Sequence, residues 1–67
     1  MFNKNKLKAK IIEKGLTMEN LANILGINVA TLYRKFAMES DFTRNEIAMI
    51  KDCLNISVEE LNEIFFA

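Results

Sequence analysis

The sequence contains no histidine and only one cysteine, Cys53. It therefore lacks the residues for a zinc site built from cysteine and histidine, and for a catalytic pair that uses an imidazole base. It has no glycine-rich phosphate loop, and a chain of 67 residues has little room for a sizeable pocket. We expect no catalytic residues, no metal or other cofactor and no small-molecule substrate, and hence no enzyme.

Proline is also absent, and glycine occurs only as Gly15 and Gly26. Strands and hairpins usually need more turn-forming residues, so this composition favours helices throughout. Cys53 cannot form an internal disulfide, and its place beside an apolar helix face indicates a small buried side chain. No apolar run approaches the roughly 20 residues that span a membrane, and no secretory signal is apparent. We therefore expect a cytoplasmic protein with no membrane partner.

The charge that is present is unevenly distributed, although the formal net charge is zero. Residues 1–35 carry seven basic residues against two acidic ones, whereas residues 36–67 carry two against seven. A basic half that faces an anion while the acidic half points away is the pattern that nucleic-acid binding needs. The alternative is that the lysines before position 15 form only the solvated face of a helix.

The apolar share of 51% suits a globular fold, and the length leaves room for one domain only, residues 1–67.

The most informative stretch, Thr17 to Phe36, predicts two short helices joined by a tight turn. Thr17 and Asn28 are good N-caps, and Gly26 is placed where a helix usually ends in a left-handed conformation. Apolar residues at helical spacing predict the buried faces of the two helices: Leu21, Ala22, Ile24, Leu25, Leu32 and Phe36.

One helix is predicted before this stretch, over about residues 4–14, after a frayed end at residues 1–3. Its closing residue is Gly15. We expect Leu7 and Ile11 to point inward, with Ile12 as a further candidate.

Two helices are predicted after this stretch, each opened by a capping box. Thr43 with Glu46 opens a helix over about residues 44–54, and Ser57 with Glu60 opens one over about residues 58–65. The expected inward residues of these helices are Ile47, Ile50, Leu54, Val58, Leu61 and Phe65. In the loop at residues 37–42, Phe42 is expected to pack back on the central stretch. The prediction is an all-α fold of five helices.

The pattern resembles the helix-turn-helix of phage repressors and Cro proteins, the lambda-repressor-like or XRE-type family. The resemblance rests on Leu21-Ala22, Leu25-Gly26-Ile27 and Leu32, and it extends to D-F-T-R-N-E-I and the final I-F-F-A. The outer segments are similar to the very small Cro-like regulators of Gram-positive phages and prophages. The resemblance implies a compact five-helix DNA-binding domain with its helix-turn-helix at the second and third helices. It also implies a sequence-specific transcriptional regulator that occupies double-stranded operator DNA.

In this family the second helix of the motif lies in the major groove, and the first crosses the DNA backbone. The resemblance therefore places the base-contacting residues on a recognition helix, residues 28–36: Asn28, Val29, Ala30, Thr31, Tyr33 and Arg34. Methyl groups of Val29 and Ala30 suit thymine, and Arg34 can bind guanine or a phosphate through two hydrogen bonds. The residues expected at phosphates are Thr17, Lys35, Arg44 and Asn45.

These residues also have ordinary structural interpretations. Val29 and Ala30 can be merely tolerated at a helix start, Tyr33 can pack on Met38 or Phe42, and Arg34 can be a solvated charge. The family commonly has glutamine at position 18, where it binds a phosphate and supports the recognition helix, and Met18 can do neither. Met18, the zero net charge and the apolar third helix favour an alternative function on the same fold, a protein-binding antirepressor or a module that docks on another regulator.

The adjacent Phe65 and Phe66 point in different directions on a helix, so Phe66 is expected to emerge at the surface. An exposed aromatic side chain at a chain end is a candidate dimer contact. A homodimer on DNA fits the family, because operator half-sites one turn apart need a two-fold partner.

Overall fold

The computed structural model describes residues 1–67, and all of its regular structure is helical. The elements are α1 (Lys4–Glu13), α2 (Met18–Leu25), α3 (Val29–Phe36), α4 (Arg44–Leu54) and α5 (Val58–Phe65). The predicted all-α fold of five helices is confirmed. The bounds of α4 and α5 agree with the expected ones, and α1 ends one residue earlier because Lys14 is its C-cap.

Each helix begins where a side-chain oxygen accepts a hydrogen bond from its first turn. In α4 the capping box is complete: Thr43 Oγ1 accepts from the amide of Glu46 at 3.1 Å, and Glu46 Oε1 accepts from the amide of Thr43 at 2.8 Å. In α2 the reciprocal partner of Thr17 is Asn20, a residue that was not predicted to complete a capping box. Asn28 caps α3 through the amide of Ala30. These caps fix the starting points of the three helices that carry the candidate site.

The turn between α2 and α3 depends on Gly26, whose φ is +70°. In this left-handed position the amide of Ile27 bonds back to the carbonyl of Ala22 at 3.0 Å, so the chain leaves α2 abruptly. Only three residues separate α2 from α3. The two helices therefore pack against each other as a helix-turn-helix unit.

The core contains residues from all five helices and one from the loop before α5. Its buried members are Leu7, Ile11, Leu21, Ala22, Leu25, Leu32, Phe36, Ile50, Leu54, Ile56, Ile64 and Phe65. Burying each large apolar side chain contributes about 1.5–3 kcal/mol relative to leaving it in water. The single core therefore holds α3 against the rest of the molecule through Leu32 and Phe36.

Three residues expected to point inward do not. Ile12 is 74% exposed and Ile24 is 40% exposed, so both predictions are wrong. Successive helix residues point about 100° apart, and α1 already commits Ile11 to the core. Val58, in the first turn of α5, is 66% exposed, so this prediction is wrong as well.

The prediction of a frayed end at residues 1–3 is also wrong. Phe2 lies in an aromatic cluster with Phe36, Phe42 and Phe65, with ring centroids 5.1–5.6 Å from its own. The amide of Asn3 donates to the carbonyl of Ile64 at 2.6 Å. Phe42 packs on Phe36 as expected, with their ring centroids 6.0 Å apart.

Ion pairs join α1 to α5. Lys6 Nζ lies 2.9 Å from Glu63 Oε2, and Lys10 pairs with Glu60. The hydrogen bond from Lys10, together with one from the amide of Ser57, lowers the pKa of Glu60 from about 4.5 to about 2. The same hydrogen bond raises the pKa of Lys10.

Because of this ion pair, the stability of the fold should depend on acid, and Glu60→Gln should remove that dependence. Because folding lowers the pKa of Glu60, its stabilisation is present above about pH 5 and is lost as the pH falls toward about 2. In thermal melts followed by circular dichroism, we expect the Tm of the wild type to fall over this range more than that of Glu60→Gln, which keeps an oxygen for the Ser57 cap. The two Tm values should converge near pH 2. A constant difference in Tm across the range would contradict the assignment.

Candidate nucleic-acid interface

Helix α3 has one buried edge and one exposed edge. Leu32 and Phe36 face the core, whereas Ala30, Tyr33 and Arg34 are exposed. At about 100° per residue, Ala30 lies between Tyr33 and Arg34 on the outer edge. The partly buried members of the predicted set, Val29 and Thr31, lie at the two flanks of this edge. Helix α3 therefore brings these predicted base-contacting residues together on one surface, with Asn28 at its start.

Asn28 combines a capping role with an available donor. Its Oδ1 accepts from the amide of Ala30 at 2.8 Å, which fixes the start of α3. The Nδ2 group makes no hydrogen bond within the chain, and the residue is exposed. It can donate to a base edge or a phosphate without loss of the cap.

Arg34 is held along the helix by its neighbour one turn earlier. Its Nη2 donates to Thr31 Oγ1 at 3.0 Å. A guanidinium group has five N–H donors, so four remain for an outside acceptor. A bidentate bond to guanine or to a phosphate stays available in this arrangement.

Tyr33 is 53% exposed and does not take part in the aromatic cluster. The rings of Phe2, Phe36, Phe42 and Phe65 pack on one another instead. Packing of Tyr33 against Phe42 is therefore not found, and its side chain stands on the outer edge of α3. Val29 is different, because part of its side chain packs against the core.

The residues expected at phosphates lie mainly at two helix starts. Thr17 Oγ1 accepts from the amide of Asn20 at 3.1 Å, so its hydroxyl hydrogen is left to donate to an anion. Arg44 and Asn45 are exposed on the first turn of α4. Asn45 Nδ2 lies 3.7 Å from Met49 Sδ, a weak contact that an anion can replace.

The prediction that Lys35 contacts a phosphate is wrong. The residue is only 8% exposed, because it lies on the buried side of α3. Its Nζ is 3.2 Å from Glu46 Oε1 and donates to the carbonyl of Asp41 at 2.9 Å. The ammonium group is used inside the protein, where it also lies 5.8 Å from the centre of the Phe42 ring.

Glu46 stays ionised in this environment. Its partial burial alone would raise the pKa of the carboxyl group, but hydrogen bonds from the amide of Thr43 and from Lys35 lower the pKa below its usual value. A buried carboxylate is tolerated only when it is paired and hydrogen-bonded, as it is here.

The separation into a basic half and an acidic half does not persist in the folded chain. Two carboxylates of α5, those of Glu63 and Glu60, pair with Lys6 and Lys10 of α1. The basic side chains outside these ion pairs and outside the pair of Lys35 with Glu46 are Lys4, Lys8, Lys14, Arg34, Arg44 and Lys51. The positive charge available to an anion is therefore smaller than the sequence indicates.

Two other predicted features fall outside α3. Met18 is half-buried and packs against the core, so its side chain has a structural role at the start of α2. Phe66 is 62% exposed, as the sequence predicts, and its ring centroid is 6.3 Å from that of Phe65. It borders an open groove of about 500 Å³ whose apolar lining includes Met1, Met38 and Phe42.

The sequence alone does not indicate that Glu46 is the partner of Lys35. The capping box identifies Glu46, but it gives no partner for the carboxylate outside α4. The available signal is the position of Lys35, three residues after the buried Leu32 and next to the buried Phe36. A charged residue on that side of a helix requires a buried counterion.

Comparison with known proteins agrees with this geometry. The profile of a family described as Cro/C1-type HTH DNA-binding domain matches residues 6–66. The match includes α2 to α5 and most of α1. Neither the comparison with curated proteins nor that with solved structures returns a match. None of the five helices is long and apolar enough to cross a membrane.

The internal position of Lys35 predicts a loss of stability when its charge is removed. Lys35→Met keeps most of the side-chain volume but leaves the carboxylate of Glu46 without its counterion. We expect the free energy of unfolding to fall by about 2 kcal/mol in urea titrations followed by circular dichroism. The control Lys8→Met removes an equal charge from an exposed position of α1 and should change the free energy of unfolding by less than about 0.5 kcal/mol. Equal effects of the two substitutions would contradict the assignment.

Proposed function

Because the chain belongs to the Cro/C1-type HTH DNA-binding domain family, we propose that it is a transcriptional regulator that occupies double-stranded operator DNA. The proposed regulator is of the same type as the Cro and repressor proteins of phages and prophages. The observation that supports this proposal best is the exposed outer edge of α3, which carries Ala30, Tyr33 and Arg34. Helix α3 lies in the major groove and α2 crosses the DNA backbone.

The outer edge of α3 supplies contacts to bases. Arg34 binds guanine through two of its remaining donors, while Thr31 keeps the guanidinium group in place. The methyl group of Ala30 and the exposed part of Val29 contact thymine methyl groups. Asn28 and Tyr33 offer polar groups to base edges or to the adjoining phosphates.

Phosphate contacts come from the starts of α2 and α4. Thr17 donates its hydroxyl hydrogen, and Arg44 and Asn45 donate from the first turn of α4. Amides at helix N-termini add favourable dipoles for the same anions. Since such contacts release counterions, the affinity falls with rising salt concentration.

A second copy of the chain completes the operator complex. Phe66, with the groove beside it, supplies an apolar surface at the end of the chain for contact between two copies. Two recognition helices related by a two-fold axis fit half-sites one turn of DNA apart.

Selection of bound duplexes from a random pool at low salt tests this proposal directly. We expect a recovered site with two-fold symmetry. Recovery of no preferred sequence would contradict sequence-specific binding, and recovery of a single unrepeated half-site would contradict the dimer.

A second function has one specific observation in its favour. The open groove at Phe66 is lined mostly by apolar side chains, which suits docking of a protein segment, as in an antirepressor that binds another regulator. Binding to a protein partner that is insensitive to salt, with no retardation of any duplex at low salt, would favour this function over operator binding.

The assignment of Arg34 leads to a prediction for the selected duplex. Arg34→Ala should weaken binding about tenfold or more in a mobility-shift titration, because it removes a bidentate contact. The helical circular dichroism should not change, since the side chain is exposed. Lys51→Ala serves as the charge-matched control, because Lys51 lies at the far end of α4 from Arg44. An affinity of Arg34→Ala equal to that of the control would remove Arg34 from the interface.

A further inference from the structure

We propose that Lys35 and Glu46 are positioning residues, which set the spacing between the base-contacting edge of α3 and the phosphate-contacting start of α4. The inference rests on the proposed operator binding. In the proposed complex, neither Lys35 nor Glu46 itself contacts DNA.

A single oxygen atom joins the two helices. Glu46 Oε1 lies 3.2 Å from Lys35 Nζ on α3, and the same oxygen accepts the amide hydrogen of Thr43 at 2.8 Å. Thr43 is the N-cap of α4. A displacement of α3 relative to the start of α4 would therefore break one of these two contacts.

The same ammonium group also fixes the loop between the two helices. Lys35 Nζ donates to the carbonyl of Asp41 at 2.9 Å. The next residue, Phe42, enters the aromatic cluster beneath α3. The six-residue loop between α3 and the N-cap of α4 is thus held in place at the end next to α4.

Each member of this connection is covalently next to a proposed DNA contact. Lys35 follows Arg34, and Thr43 precedes Arg44. The buried pair therefore connects the backbone beside Arg34 with the backbone beside Arg44. Simultaneous contact with a base and a backbone phosphate requires a fixed distance between the two groups.

Stability alone does not require a charged pair at this position. Replacing a buried ion pair by uncharged residues of similar volume is often neutral or stabilising. An ion pair fixes geometry more narrowly than apolar contacts do, because both distance and direction enter its hydrogen bonds.

The chain contains a matched pair that lies away from α3. Lys10 on α1 pairs with Glu60, which also accepts from its own N-cap, Ser57, at 3.2 Å. The residue types are those of Lys35, Glu46 and Thr43, but Lys10 pairs with Oε2 while the amide of Ser57 donates to Oε1, so no single oxygen joins the two helices, and the pair is more exposed. The helices joined are α1 and α5, neither of which carries a proposed base contact.

The test compares Lys35→Met/Glu46→Gln with Lys10→Met/Glu60→Gln. Both double variants preserve the net charge and an oxygen for the capping box. On the duplex selected by the wild type, we expect the Lys35 and Glu46 double variant to bind about tenfold more weakly, and the control to bind within about twofold of the wild type. Binding to a scrambled duplex should be equal in all three proteins. Wild-type affinity of the first variant for the selected duplex would overturn the proposal.

A double-mutant cycle separates positioning from general stability. Arg44→Ala is measured in the wild type and in Lys35→Met/Glu46→Gln, each shown by circular dichroism to be folded. We expect Arg44→Ala to weaken binding severalfold in the wild type and by a smaller factor in the double variant, because Arg44 is already out of place. Equal factors in the two backgrounds would overturn the proposal.

If the double variant does not fold, Glu46→Asp replaces it. This substitution keeps both charges but shortens the side chain, so one carboxylate can no longer reach both Lys35 and Thr43. The same loss of preference for the selected duplex is expected, and its absence overturns the proposal. Failure of the wild type to bind any duplex would refute operator binding itself, which is a different result from wild-type binding by these variants.

Discussion

Burial of Leu32 and Phe36 is the constraint on which the rest of the structure depends. These two residues lie one turn apart on the inner edge of an eight-residue helix and are almost fully enclosed. Because that edge is buried in the core, the rotation of α3 about its axis is fixed. In this orientation Ala30, Tyr33 and Arg34 point outward. The left-handed turn at Gly26 supplies the abrupt change of direction that makes this orientation reachable from α2. The candidate interface is thus a consequence of packing rather than a separate addition to it.

Part of the charge in this molecule serves to hold the helices together. Three of its lysines, Lys6, Lys10 and Lys35, pair with carboxylates on other helices. Two of those carboxylates, on Glu46 and Glu60, also belong to capping boxes, so helix starts and contacts between helices are fixed by the same groups. The positive charge left for DNA is modest. In the proposed operator complex, sequence-specific contacts from α3 therefore contribute a large share of the binding, since nonspecific attraction to phosphates grows with the number of free cations.

Local signals predicted the helices well. The caps at Thr17, Asn28, Thr43 and Ser57 act within four residues, so their hydrogen bonds are encoded in adjacent sequence. The turn at Gly26 is equally local. The outward position of Arg34 follows once Leu32 and Phe36 are recognised as the apolar ridge of the same helix.

What the sequence did not reveal depends on contacts between distant segments. Positions 11 and 12 are both isoleucine, and only the position of the other helices decides that Ile11 is buried and Ile12 is exposed. Phe2 is ordered because three other phenylalanine rings meet at that place. From the sequence, Lys35 was predicted to be a surface cation, because its counterion, Glu46, lies on another helix. The proposed base contacts are expected from the family resemblance and the exposed edge of α3, and the proposed phosphate contacts from the starts of α2 and α4.

The most direct test of the account is a titration of the labelled protein with the selected duplex, followed by the NMR shifts of its backbone amides. We expect the largest changes at residues 17, 28–34 and 43–45, with small changes around Phe66 beyond those due to dimer formation. Changes concentrated around Phe66 and Met38, with α3 unaffected, would contradict the claim that the outer edge of α3 is the DNA-binding surface.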